Sequence, residues 1–273
     1  MTQDRLNETF NRLRAEKATG LIPYVTVGFP NVETTLELVP ALVKAGADIV
    51  ELGVPFSDPL ADGATIQQAS FHALGQGVTL KRCLEVCATL RRHGVEAPLI
   101  FMGYYNPILS MGLDAYAQVA AEAGLDGTIV PDLPPEECLP LQEACRAHGI
   151  HLIPLLAPTS TDERIERACE SASGFVYVVS VAGVTGARES VPTDLSSMVR
   201  RVRAHTRVPV AVGFGLSKRE HILEVGKVAD AAVVGSALVN VIAAAPRGEA
   251  VSQAAAFIAG LSGTTLSATR GAV

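Results

Sequence analysis

Short β-branched and aliphatic runs alternate along this chain with longer stretches in which apolar residues recur every three or four positions. The short runs predict strands over residues 21–27, 48–52, 98–102, 127–130, 152–156, 175–180, 208–212 and 231–234. Most are continuously apolar rather than alternating, as in parallel strands covered on both faces. Between them, Leu80, Cys83, Leu84, Cys87 and Leu90 repeat at helical spacing. Pro134-Pro135-Glu136-Glu137 places proline and acids in the first turn of a helix that Gly149 closes. Ser160 with Glu163, and Ser217 with Glu220, fit capping boxes. A further helix over 5–16 precedes the first strand, and two, over 65–74 and 79–93, separate the second strand from the third.

Eight strand–helix units predict an α/β fold, a single (β/α)8 barrel of the TIM type with an additional N-terminal helix. A doubly wound open sheet is the structural alternative. No linker or shift in composition divides the chain, so residues 1–263 are expected to form one domain. The small, polar tail 264–273 is expected to be disordered.

Composition narrows the class. Of 273 residues, 48% are hydrophobic, enough for a large core. The net charge of −6 and the lack of a Lys/Arg-rich run argue against a nucleic-acid surface. No apolar run approaches the roughly 20 residues of a membrane span, and the first ten residues lack an apolar signal core. Five cysteines, an odd number with no C-x-x-C pair, read as reduced core thiols of a cytoplasmic protein.

The candidate chemistry starts at Glu51, where a buried strand ends and Pro55, Pro59 and Gly63 break the ladder. A carboxylate is costly there, and Asp58 and Asp62 follow on the same loop. Acids gathered at the end of a barrel strand suit proton transfer. Gly183-Val-Thr-Gly186, Gly213-Phe-Gly215 and Gly235-Ser236 fall on the same rim as backbone candidates for holding a phosphate. The lysines lie outside the strands, which argues against a Schiff base, and the histidines lie away from the rim, which argues against histidine or zinc catalysis. No metal site is expected; a carboxylate-only Mg²⁺ site at Glu51, Asp58 and Asp62 is the lesser alternative. Carboxylate acid–base chemistry on a phosphorylated small molecule remains.

These motifs, together with Pro131-Asp-Leu-Pro134, resemble those of the α subunit of tryptophan synthase, in order and from about Arg5 to Gly263. The resemblance implies the barrel with its N-terminal helix and cleavage of indole-3-glycerol phosphate to indole and glyceraldehyde 3-phosphate. It implies Glu51 as general acid/base and Asp62 as second catalytic carboxylate, supported by Tyr177 and Thr185. The phosphate would be held by Gly186, Phe214, Gly215, Gly235 and Ser236. Candidates for the indole pocket are Tyr24, Phe101, Ile129 and Leu155. No cofactor is expected in this chain. The partner it implies is a tryptophan synthase β subunit carrying pyridoxal phosphate, in an α2β2 heterotetramer, with the apolar rim segments 55–59 and 104–107 as docking face. Ala64 departs from the proline common in the family. Two other readings share these residues: a stand-alone indole-3-glycerol phosphate lyase, and a catalytically silent phosphate-binding barrel that regulates a partner.

Overall fold

The computed structural model describes residues 4–179, 193–213 and 215–265. Its strands are β1 (Gly20–Thr26), β2 (Val50–Gly53), β3 (Leu99–Met102), β4 (Gly127–Ile129), β5 (His151–Ile153), β6 (Leu155–Leu156), β7 (Val176–Val179), β8 (Val210–Gly213) and β9 (Ala231–Val234). All pair in parallel, in the order β5-β4-β3-β2-β1-β9-β8-β7-β6. The two end strands are separated only by Pro154, so they are halves of one barrel strand and the sheet closes on itself. Proline lacks the N–H a ladder needs, which is why the expected strand 152–156 divides. β5 pairs with β4, and β6 with β7. The expected eight-stranded parallel barrel is thus present, with one strand interrupted.

Alternation sorts each strand between two apolar layers. Ile22, Ile49, Ile100, Ile129, Ile153, Phe175, Tyr177, Ala211, Ala231 and Val233 fill the barrel interior. Val50, Leu52, Leu99, Phe101, Val176, Val178, Val210 and Val212 pack outward against the helices. Both faces are apolar, so the strands read as continuous runs.

Helix α1 (Arg5–Glu16) lies where expected. Asp4 caps it by accepting the Asn7 N–H at 3.0 Å. Leu6, Phe10 and Leu13, one stripe at helical spacing, join the interior cluster and close the barrel's N-terminal end. Phe10 and Phe175 stand with ring centroids 5.7 Å apart. Three aspartates brace the same end, each accepting the N–H of a neighbouring strand: Asp48 from Leu21 at 2.9 Å, Asp126 from Leu99 at 2.8 Å and Asp230 from Val210 at 2.8 Å. Arg12, Arg91 and Arg203 pair with them in that order. Carboxylates thereby satisfy donors at the ladder's start that no strand carbonyl reaches.

Other helix boundaries differ from expectation. α7 (Leu139–Ala147) begins after the 134–137 segment, which forms turns rather than a first helical turn. Gly149, at φ +74°, does close it, with the Ile150 N–H on the Cys145 carbonyl at 2.9 Å. Thr161, not Ser160, caps α8 (Asp162–Ser171), because Ser160 Oγ instead accepts the Ala157 N–H at 3.2 Å. α10 (Arg219–Val225) has no side-chain cap; the Ser217 N–H donates to His221 Nδ1 at 3.3 Å. The five cysteines are free, four of them buried.

Candidate active site

β2 alternates Ile49 in, Val50 out, Glu51 in, Leu52 out. Glu51 stands in register with Tyr24 on β1 and with Ile100 on β3, so its carboxyl enters the barrel near the C-terminal ends of the strands. It is 1% exposed, and among the described residues its Oε2 has no hydrogen-bond partner. Burial first, and the Asp62 charge second, push its pKa up to about 8. A carboxyl taken out of water without a donor holds its proton near neutral pH.

Asp62 sits on the loop between β2 and α3 (Ala64–Gly75). Its N–H donates to the Pro59 carbonyl at 3.0 Å, and Gln67 of α3 holds its carbonyl through Nε2 at 2.9 Å. Burial raises its pKa to about 6 against the opposing pull of a hydrogen bond from Tyr104. Asp58, by contrast, is exposed and accepts the Ser57 hydroxyl at 2.6 Å. The buried Glu51 and the half-buried Asp62 are therefore tuned apart: near neutral pH Asp62 is ionised while Glu51 is protonated.

Two tyrosines flank the acids. Tyr24 lies over Gly53, where any side chain would collide with its phenol. Its hydroxyl pairs with Thr26 Oγ1 at 3.3 Å. Tyr177 on β7 lies in the same way over Gly213 of β8. Burial raises both phenols well above the ordinary value; the next cause is the Asp62 charge for Tyr24 and the Glu51 charge for Tyr177. Both hydroxyls thus stay protonated and lie within the field of the acids.

Gly235 precedes α11 (Ser236–Ala244), whose N-terminus has no side-chain cap. Its Cα hydrogen faces Ile66 and Tyr24, since a Cβ there would lie 3.8 Å from each. Tyr24 therefore touches the Gly235 turn and stands level with Glu51, which brings the open helix N-terminus and the acids to one rim. Gly215, at φ +46°, has a conformation that suits glycine. Thr185, Gly186 and Phe214, and the whole 183–190 loop, lie outside the described residues.

The indole-pocket candidates divide. Tyr24, Ile129 and Leu155 face the barrel interior. Phe101 does not: strand alternation turns it outward among the helices, in register with outward Leu52. Its place on β3 is taken by Met102, which packs against both the interior cluster and the cluster around Tyr24. Ile66 and Ala69 of α3 complete the wall beside Tyr24. Met102 and Ile66 carry no sequence signal that separates them from ordinary core residues. Among the described residues no three His, Cys, Asp or Glu side chains group as a metal site requires.

Comparison with known proteins shows the family. Residues 10–263 match the family model described as tryptophan synthase alpha chain. This chain belongs to the tryptophan synthase alpha chain family. It is 53% identical over 259 residues to the tryptophan synthase alpha chain of Roseiflexus sp. (strain RS-1), covering 95% of this chain and 99% of that one. The solved alpha subunit from Legionella pneumophila superposes with a TM-score of 0.88 at 36% identity, covering 96% and 98% of the two chains. A chain from the tryptophan synthase α2β2 complex of Pyrococcus furiosus does so at 0.84 with 41% identity, covering 89% and 98%.

Proposed function

We infer that this alpha chain cleaves indole-3-glycerol phosphate to indole and glyceraldehyde 3-phosphate, a carbon–carbon lyase reaction. Family membership carries the reaction. One observation supports the residue roles: a buried and a half-buried carboxyl tuned apart, Glu51 to about 8 and Asp62 to about 6, beside an uncapped helix N-terminus.

Indole is a poor electron sink, so the ring must first take up a proton at C3. Glu51, protonated at neutral pH, donates it. Asp62, ionised, accepts a hydrogen bond from the ring N–H and stabilises the positive charge that develops there. The Glu51 carboxylate just formed then accepts the proton of the hydroxyl next to C3. The carbon–carbon bond breaks, its electron pair returns to the ring, and glyceraldehyde 3-phosphate leaves with the new carbonyl. The proton count closes and Glu51 returns to its starting state. Tyr177 supports Glu51 within the barrel, and Thr185 is assigned to orienting Asp62. The phosphate is held by backbone N–H groups at Gly235 and Ser236, where the α11 dipole favours negative charge, together with Gly186, Phe214 and Gly215.

The chain acts as a single domain over 1–263 in the cytoplasm, needs no cofactor of its own, and passes indole to a pyridoxal-phosphate β subunit in an α2β2 assembly. Just beyond the proposed docking segments 55–59 and 104–107, Leu60 and Leu109 are apolar side chains 94% and 53% exposed. Indole release from indole-3-glycerol phosphate, measured with and without the β subunit, tests both parts. The expected result is turnover that rises strongly with the partner and falls at least ~10²-fold in Glu51→Gln. Near-normal turnover by that variant overturns the catalytic assignment. Full turnover without the partner favours a stand-alone lyase.

A further inference from the structure

Two side chains fasten the Asp62 loop to the rest of the rim: Gln67, through the Pro59 and Asp62 carbonyls, and Tyr104. Tyr104 follows β3 and is buried at 5% exposure. Its ring stacks on Phe56 of the loop, with centroids 5.0 Å apart and planes inclined by 26°. Its hydroxyl accepts the N–H of Ala61, the residue before Asp62, at 3.0 Å, which holds the phenol beside the Asp62 carboxyl. A phenol oxygen that already accepts a backbone donor has one proton left to give, and a carboxylate beside it is a natural acceptor. The tyrosine is itself anchored, because the next N–H, that of Tyr105, donates to Asp132 at 2.9 Å. Asp132 belongs to the Pro131-Asp-Leu-Pro134 motif that follows β4. Asp132, the 104–105 backbone, the Tyr104 phenol and Asp62 thus form one chain of contacts between two rim loops. Gln67 holds only the backbone of Asp62, so the phenol is what reaches the carboxylate.

We propose that Tyr104 is a positioning residue for Asp62: stacked on Phe56 and bonded to the Ala61 N–H, its phenol orients the carboxylate toward the substrate. This rests on the assignment of Asp62 as the carboxylate that stabilises the charged ring. The opposing cause in the ionisation of Asp62 is a hydrogen bond from this phenol, which lowers a pKa that burial raises. Removing the hydroxyl leaves burial unopposed.

Tyr104→Phe keeps the stack on Phe56 and deletes only the hydroxyl. In the α2β2 complex we expect kcat to fall about tenfold, with KM for indole-3-glycerol phosphate changed less than about threefold. The acid limb of the kcat/KM profile is expected to move up by roughly one pH unit. Incorporating 3-fluorotyrosine at position 104 gives a stronger donor of nearly the same shape; its acid limb moves down instead, which tests the proposal even if the phenylalanine variant folds poorly. A folded Tyr104→Phe enzyme, or a fluorotyrosine enzyme, with the wild-type acid limb overturns the proposal. Asp62→Asn separates the two levels: an active Asp62→Asn enzyme removes the parent assignment and this proposal together. An inactive one beside an unmoved acid limb at position 104 removes this proposal alone.

Discussion

A methyl group placed on Gly213 would lie 2.5 Å from the hydroxyl of Tyr177. Two neighbouring strands thus meet at the rim with no side chain on one, so that the phenol of the other can lie across it. Tyr24 and Gly53 repeat the arrangement on the other side of the barrel. Gly213→Ala displaces a buried, rigid ring rather than a flexible chain end. We expect it to lower kcat for indole release by ~10-fold or more, while the circular-dichroism spectrum stays native. Wild-type turnover in Gly213→Ala contradicts the role given to Tyr177.

The two acids predict a bell-shaped dependence of kcat/KM on pH. Asp62 must be ionised and Glu51 protonated at the start, so activity rises through about 6 and falls through about 8. The limbs belong to the interacting pair, since the Asp62 charge is one cause of the Glu51 shift. A profile that keeps rising above pH 9 shows that Glu51 works first as a base.

Glu51 also makes stability depend on pH. Its pKa stands near 8 in the folded chain against an ordinary 4.5, so the folded state binds the proton more tightly. Stability is intact below the lower value and declines as pH rises between the two. Glu51→Gln removes that decline. Its melting temperature should match wild type near pH 4 and exceed it by several degrees at pH 8. Parallel melting curves from pH 4 to 8 contradict the buried, unpartnered carboxyl.

Phe101 and Met102 are adjacent yet face opposite sides of β3. Met102→Ala should raise KM for indole-3-glycerol phosphate several-fold with a modest loss of stability. Phe101→Leu should cost about 1–2 kcal/mol of stability and leave KM unchanged. Steady-state kinetics with thermal melts distinguish them, and the reverse pattern would mean that β3 is turned over.

Much was legible in the chain because it is local. The helix expected over 5–16 is α1 to the residue, and Glu51 stands out because a charge follows an apolar run just before Pro55. Caps were less legible: Thr159, Ser160 and Thr161 stand side by side before α8, and it is Thr161 that caps while Ser160 turns to Ala157. The docking segments also read as more exposed than they are. Pro55, Pro59 and Tyr104 are buried, and the apolar exposure falls on Leu60 and Leu109.

The amino-acid sequence by itself determined the alternation of strand and helix, the extra N-terminal helix and the placing of an acid at a strand end. Each follows from side-chain periodicity and backbone chemistry within a dozen residues. Tertiary structure decided which face of a doubly buried strand looks inward, since apolar residues on both sides erase the parity that would reveal it. It also decided the proton affinities of Glu51 and Asp62 and the reach of Tyr104 to Asp62 from another loop. Those depend on how much water is excluded and on which distant groups arrive, and neither is a property of neighbouring residues.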